Sequence, residues 1–109
     1  MDTWKLSDEE VEPHQPRILR TDEGANRVIL LRLPAGELLQ DHEVRERALV
    51  FISEGKAIVR CGPVEERLEA PALLHFGPSE RHEVQAETDV LLTLCLAPWP
   101  GGGFHDSDV

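Results

Sequence analysis

The stretch Gly36-Glu37-Leu38-Leu39-Gln40-Asp41-His42-Glu43-Val44-Arg45-Glu46-Arg47-Ala48-Leu49-Val50-Phe51-Ile52-Ser53-Glu54-Gly55 decides how this 109-residue chain folds. Its second half, from Ala48 to Ser53, is an apolar run of strand length that ends in a glycine turn. Side chains two residues apart on a strand share a face, so His42, Val44, Glu46 and Ala48 have the same parity. We therefore expect these four side chains to point to the same side of a sheet.

The pattern of the stretch extends through most of the chain. Short runs rich in Val, Ile and Leu alternate with turn residues every 8–12 positions or so, which is typical of a sandwich or barrel of strands. The predicted strands are Arg17–Thr21, Arg27–Leu33, Ala48–Ser53, Lys56–Cys61, Glu65–Glu69, Ala72–Phe76, His82–Ala86 and Val90–Ala97. The predicted fold class is all-β.

The expected organisation is a single domain with two short extensions. Residues 1–16 form an N-terminal arm, residues 17–97 a β-barrel, and residues 98–109 a tail rich in proline and glycine. A short helical turn capped by Ser7 or Asp8 is expected in the arm. His105, in the tail, is expected to lie on a disordered segment or to fold over the barrel mouth.

The spacing within the opening stretch resembles the first cupin motif, G-x5-H-x-H-x3-E-x6-G. Gly36, His42 and Gly55 match it, whereas Val44 and Ala48 stand at the second histidine and the glutamate. The segment 72–84, with His82 after a turn that contains proline, resembles the second cupin motif. The resemblance covers about residues 27–97 and implies a double-stranded β-helix, or jelly-roll, barrel. It also implies that Phe76 faces the core and His75 faces outward.

In the metal-binding proteins of that family the corresponding four positions hold the ion, so His42, Val44, Ala48 and His82 would lie together here. Two of the four are apolar, and two imidazoles alone rarely hold a divalent ion. Glu46 has the parity to supply a carboxylate, which would make His42, His82 and Glu46 a two-histidine, one-carboxylate set for Zn, Fe, Mn or Ni. The alternative interpretation is that Glu46 lies on a solvated bend. The sequence alone establishes no cofactor.

Three functions follow. The first is a small-molecule-binding module whose pocket is lined by His42, Val44, Ala48, His82 and Trp99, the tryptophan capping the core or forming a lid. The second is a metal-dependent enzyme of isomerase or dioxygenase type that uses His42, His82 and Glu46. The third is a structural or regulatory partner without a pocket. No nucleophile elbow, P-loop or dinucleotide fingerprint accompanies these residues.

Charge and composition argue against nucleic acid and anionic membranes as partners. With 11 basic and 21 acidic residues, the net charge of −10 and the pI near 4.8 disfavour nucleic acid and anionic membranes. The chain shows no secretory signal, and Cys61 and Cys95 are expected to be buried free thiols of a cytoplasmic protein.

Two strands, Arg27–Leu33 and Val90–Ala97, are apolar on both faces. One face fills the barrel, and the other needs a cover. We expect a homodimer in which a second subunit or the N-terminal arm covers that face; the alternative is that the arm alone covers it.

Overall fold

A computed structural model describes residues 1–42 and 46–100, with the side chains of 1–39 and 46–100. After a 3₁₀ turn at Leu6–Asp8 come nine strands: β1 (Arg17–Asp22), β2 (Asn26–Leu33), β3 (Leu38–His42), β4 (Arg47–Glu54), β5 (Lys56–Cys61), β6 (Val64–Glu69), β7 (Ala72–Phe76), β8 (His82–Ala86) and β9 (Val90–Ala97). The all-β prediction is confirmed. Within the described ranges, no helix is long and apolar enough to cross a membrane.

The eight predicted strands are present, and β3 is an additional one. Its sequence, Leu38-Leu39-Gln40-Asp41-His42, turns polar after two residues and so lacks the apolar alternation on which the prediction depended. Pairing with β8 holds it in the sheet. The short helical turn is also confirmed, but its N-cap residue is Lys5 and no side chain caps it, so the expected cap by Ser7 or Asp8 is wrong.

The strands form two antiparallel sheets, one with the order β1-β2-β9-β4-β7 and one with the order β3-β8-β5-β6. The chain changes sheet at every connection except the β1–β2 and β5–β6 hairpins. This alternation is the expected double-stranded β-helix. The core lies between the sheets, where the inward side chains of both layers meet, among them Val50, Ile52, Ala57, Val84 and Leu92.

One end of the barrel is closed by tight turns, and we call it the closed end. There Ala35 N–H donates to Asp89 Oδ1 (2.9 Å), and Lys56 N–H donates to Thr88 Oγ1 (2.9 Å). Gly55 lies against the carbonyl group of Asp89 with φ +92°. Nothing larger than glycine fits this approach, because a Cβ built on Gly55 would be 2.1 Å from the Asp89 oxygen.

Candidate functional site

The opposite end of the barrel, which we call the site end, holds those predicted site positions that the structure describes. Here β3 ends at His42, β4 begins at Arg47, β7 ends at Phe76 and β8 begins at His82. The register pairs the backbone of His42 directly with that of His82. The predicted convergence of the two histidine positions is therefore confirmed at the level of the backbone.

A bulge in β3 sets this pairing. Leu39 pairs with Val84 and His42 with His82, so β3 uses one more residue than β8 between the two pairs. Such an extra residue bends a strand and changes the direction of the side chains that follow it. The side chain of His42, and the whole of Val44, lie outside the described residues.

His82 is 3% exposed, and its surroundings fix its orientation. Its ring stacks on that of Phe76, with centroids 3.9 Å apart and planes 7° from parallel. His82 Nδ1 lies 3.1 Å from the backbone oxygen of Glu80. A carbonyl oxygen only accepts hydrogen bonds, so Nδ1 carries the hydrogen and Nε2 is the acceptor of the neutral ring.

Glu46 is also buried, at 6% exposure, although it lies between two arginines in the sequence. The interpretation that it lies on a solvated bend is therefore wrong. Two residues further on, Ala48 is 1% exposed and pairs with Phe76, whose ring covers His82. Parity correctly predicted that Glu46 and Ala48 are both directed away from solvent.

Trp99 follows β9 at the site end and is partly buried against the core. The guanidinium carbon of Arg27 lies 4.2 Å from the centre of the indole ring, within the range of a cation–π interaction. The backbone oxygen of Trp99 accepts a hydrogen bond from Gly24 N–H (2.6 Å). Trp99 is thus anchored to the β1–β2 hairpin, which agrees with the predicted capping role. The tail beyond it, including His105, lies outside the described residues.

The turn that delivers His82 is held by Glu80, which sequence reasoning missed. Glu80 Oε1 accepts a hydrogen bond from Gly77 N–H (2.9 Å), and Oε2 accepts one from the thiol of Cys61 (3.1 Å). These two bonds, the first above all, lower the pKa of the Glu80 carboxyl group, and the nearby His75 and His82 act in the same direction. The sequence signal that could have identified this role of Glu80 is its position three residues after Gly77, in a turn that contains proline.

The remaining expectations have mixed outcomes. His75 is exposed and Phe76 is buried, as the resemblance implied. Cys61 and Cys95 are free, as expected, but both are half-buried rather than buried, because Cys61 is the last residue of β5, beside a surface depression, and Cys95 lies on the outward face of β9. Arg27 was not predicted beside Trp99, since 72 residues separate them (99 − 27) and no local pattern joins them.

Among the residues whose side chains are described, no three His, Cys, Asp or Glu form a group that could hold a metal ion. Three depressions of about 300 Å³ or slightly less lie on the flanks of the barrel. The one beside the edge strands β6 and β7 is lined by Cys61, Glu66, His75 and Glu80 with apolar neighbours. None of the three is lined by Glu46, Ala48 or His82.

Known structures share this architecture at low sequence identity. A cupin superfamily protein from Desulfitobacterium hafniense superposes with a TM-score of 0.72 at 15% identity, over 84% of both chains. An RmlC-like cupin from Desulfovibrio desulfuricans gives 0.75 at 20% identity, over 90% of this chain and 97% of its own. An uncharacterized conserved protein with a double-stranded beta-helix domain from Klebsiella pneumoniae gives 0.78 at 12% identity, over 94% of both chains.

No family model matches the chain, and no curated protein matches it significantly. The structural matches show that the chain is a small cupin-fold domain. At such identities they show the fold alone, because one fold hosts many unrelated functions.

Proposed function

We propose that this cupin-fold protein binds a small organic ligand at the site end of the barrel, beside an incomplete metal shell. The observation that carries the proposal is the burial of Glu46 and His82, the two polar or charged residues that are buried in the described part of the chain. Burying such groups costs free energy, and their burial at one end of the barrel is typical of a binding or catalytic site.

The chemistry of the two side chains indicates what kind of ligand fits. The Nε2 atom of His82 is an acceptor when Nδ1–H donates to the Glu80 carbonyl group, and a carboxylate such as Glu46 accepts only. A ligand that supplies hydroxyl or ammonium hydrogens can donate to either acceptor. Ala48 and Phe76 add apolar surface beside these acceptors. The proposed ligand class is therefore a partly apolar alcohol or amine.

Charge narrows the class further. The chain has a net charge of −10, so its field repels a small anion. A carboxylic acid of the same size and shape as the ligand would meet both this field and the Glu46 carboxylate. We expect neutral and cationic hydrogen-bond donors to bind and their carboxylate analogues to be excluded.

A thermal-shift screen with chelator present tests the proposal. Matched sets of alcohols, amines and carboxylic acids are added to the wild-type protein, to Glu46→Gln and to His82→Gln, with Glu66→Gln and His75→Gln as controls at exposed positions. We expect an alcohol or amine to raise Tm of the wild type and of both controls, with at least tenfold weaker binding to the two site variants. Equal binding by site variants and controls, or no binding by any compound, would overturn the proposal.

The burial of Glu46 also favours a second candidate, a metal-dependent enzyme of isomerase or dioxygenase type. With His42 and His82 it would complete a two-histidine, one-carboxylate donor set, and the Nδ1–H bond of His82 to a backbone carbonyl is the outer contact that metal-bound histidines usually make. A divalent metal there would supply Lewis-acid or oxygen-activating chemistry. His82 would be held by its stack on Phe76 and by its Nδ1–H bond to the Glu80 oxygen.

Metal analysis separates the two candidates. The enzyme hypothesis expects about one equivalent of Zn, Fe, Mn or Ni in protein purified without chelator, and at least tenfold less in His42→Ala and Glu46→Gln. The Glu66→Gln control keeps its metal. Equal traces in all four proteins would exclude the enzyme candidate and leave the ligand-binding proposal intact.

The two free cysteines support a reducing compartment, and we propose that the protein is cytoplasmic. Fractionation of the source cells with an antibody to the chain tests this location. Recovery outside the cytoplasmic fraction would contradict it.

A further inference from the structure

The inner face of the five-stranded sheet carries a cation in its row of paired residues at the site end. This row crosses β2, β9, β4 and β7 and consists of Arg27, Leu96, Ala48 and Phe76. Directly paired residues of antiparallel strands share a face, and the other three members of the row belong to the buried core. The side chain of Arg27 is therefore directed to the inside of the barrel, on the same face as Ala48 and Phe76.

Two contacts hold the guanidinium group of Arg27 in place. Its central carbon lies 4.2 Å from the centre of the Trp99 ring, and Nε donates a hydrogen bond to Thr21 Oγ1 (3.2 Å). Trp99 is held in turn by the hydrogen bond from Gly24 N–H to its backbone oxygen. The planar group is thus oriented by the protein itself, before any ligand binds.

The N–H groups on Nη1 and Nη2 of Arg27 are available as donors. Within the described part of the chain, no hydrogen bond or ion pair uses them. Arginine donates well to planar oxygen acceptors, because adjacent N–H groups of its guanidinium point in fixed directions. The site end therefore has a donor group on its inner face, in addition to the acceptor groups of Glu46 and His82.

The inner face beside Arg27 is accessible to solvent. Toward the closed end, the paired residues Leu33 and Val90 are buried. Nearer the site end, the paired residues Ile29 and Leu94 pack against the same core but are only partly buried, and Arg27 is half-buried. The interior along β2 and β9 is therefore filled toward the closed end and open next to Arg27.

The width of the sheet sets the length of a ligand that could reach both sides of the site end. Arg27 lies two strands from Ala48 and three strands from Phe76, which is about 10 Å and about 14 Å at about 4.8 Å per strand. The ring of His82 covers Phe76. A ligand that contacts both Arg27 and His82 is therefore an extended molecule with a polar group at each end.

We infer that Arg27 is a specificity-determining residue of the site end and that it binds a neutral carbonyl oxygen of the ligand. The inference rests on the proposed function, in which the hydroxyl or ammonium group of the ligand donates to Glu46 or His82. Arg27 donates to the other end of the same molecule. The acceptor is a neutral carbonyl group because the net charge of −10 disfavours an anion. The ligand class narrows to amides and esters that also carry an amino or hydroxyl group.

Calorimetric titration of the full chain, with chelator present, tests the inference. The probes are ω-amino amides of increasing chain length, each paired with the alkylamine of the same length. We expect an amide to bind the wild type about tenfold more tightly than its alkylamine, and Arg27→Gln to abolish this advantage without weakening the alkylamine. The matched control is Arg32→Gln, which changes an arginine on the outward face of the same strand, beside Glu54, and should keep the advantage.

Arg27→Met keeps the test decisive where Arg27→Gln does not fold, because an unbranched apolar side chain still packs on Trp99 but donates no hydrogen bond. Circular dichroism and urea unfolding establish that each variant is folded. An Arg27 with a merely structural role would weaken amide and alkylamine equally, and that result would overturn the inference.

Three other results would also overturn it. They are an amide that binds the wild type no better than its alkylamine, an advantage that survives in a folded Arg27 variant, and a matching ω-amino acid that binds more tightly than the amide. In each case, alkylamine binding that depends on Glu46 and His82 would leave the proposed function standing. No binding by any probe would overturn both.

Discussion

The two ends of the barrel differ in the side chains that they bury. At the closed end, main-chain N–H groups donate to backbone oxygens, as where Gly36 N–H donates to the Ala86 oxygen (2.8 Å) and Ala70 N–H to the Gly55 oxygen (2.9 Å), and to the side chains of Asp89 and Thr88. At the site end the Glu80 carboxylate accepts from Gly77 N–H, and two charged or polar side chains, Glu46 and His82, are buried. Both ends belong to the same two sheets.

The difference between the two ends indicates which of them is suited to binding a ligand. The closed-end turns are held by backbone oxygens and by the exposed side chains of Asp89 and Thr88, and neither of the two buried charged or polar residues lies there. A connection held by side chains, such as the 77–81 turn, carries groups that a ligand can contact. Substitutions at the closed end are therefore expected to affect stability, and those at the site end to affect binding and pH response as well.

The largest expected effect is at Gly55. Gly55→Ala adds a Cβ that would lie 2.1 Å from the Asp89 backbone oxygen, at a φ of +92° that side chains rarely adopt. Because the obstacle is backbone, the turn has to shift, and we expect a loss of about 4 kcal/mol in the free energy of unfolding. Urea denaturation at a fixed protein concentration measures it.

The matched control for Gly55 is Gly36. Its φ is similar at +86°, but no atom lies within 4 Å of a built Cβ. Gly36→Ala should therefore show only the conformational cost of about 1–2 kcal/mol. Equal losses at the two glycines would show that the close approach to Asp89 contributes nothing.

A smaller effect is expected from Phe76→Leu at the site end. The variant keeps an apolar side chain in the core but removes the ring stacked on His82 at 3.9 Å. We expect a loss of about 2 kcal/mol, of which about 1 kcal/mol belongs to the ring pair.

A double-mutant cycle isolates the ring pair. Phe76→Leu, His82→Gln and the double variant are unfolded in urea under the same conditions. If stacking stabilises the site end, the sum of the two single losses exceeds the loss in the double variant by about 1 kcal/mol. Additivity within about 0.3 kcal/mol would mean that the two rings are neighbours without energetic coupling.

The sequence predicted most of the strands correctly, because strands leave local signals in the sequence. Alternating apolar residues and turn glycines located eight of the nine strands, and parity placed Glu46 and Ala48 on the inward side. The missed strand, β3, is polar, and its pairing with β8 is a contact between residues about 40 positions apart. No local pattern contains that information.

The site was predicted less completely for the same reason. The pairing of His42 with His82 followed from a family resemblance rather than from the residues between them. Arg27 beside Trp99 and the Cys61 thiol on Glu80 join distant segments, and neither leaves a periodic signal. Whether Glu46 is buried could not be decided from its two arginine neighbours, since burial depends on where the 43–46 connection meets the barrel.

The smallest expected effect is the response of the site-end turn to acid. The hydrogen bond from Gly77 N–H, and then that from the Cys61 thiol, lower the pKa of Glu80 below the usual 4.5. A carboxyl group whose pKa is lower in the folded state stabilises the protein fully above its unfolded pKa. This contribution is lost as the pH falls through the folded pKa of Glu80.

Glu80→Gln removes the charge while its amide oxygen can still accept from Gly77 N–H. We therefore expect the variant to be slightly less stable than the wild type at pH 7, and the gap to close below about pH 4.

Urea unfolding of both proteins between pH 7 and pH 3 measures this gap, with Glu66→Gln, an exposed acid on β6, as the control. The control should differ little from the wild type across the range, because removing an exposed charge from an acidic chain changes stability only slightly. A gap between wild type and Glu80→Gln that stays constant with pH would show that the carboxylate charge does not hold the turn. In that case the position of His82 would depend on its Nδ1–H bond and its contact with Phe76 alone. A gap that closes in acid would instead show that the ionised Glu80 carboxylate stabilises the turn that delivers His82.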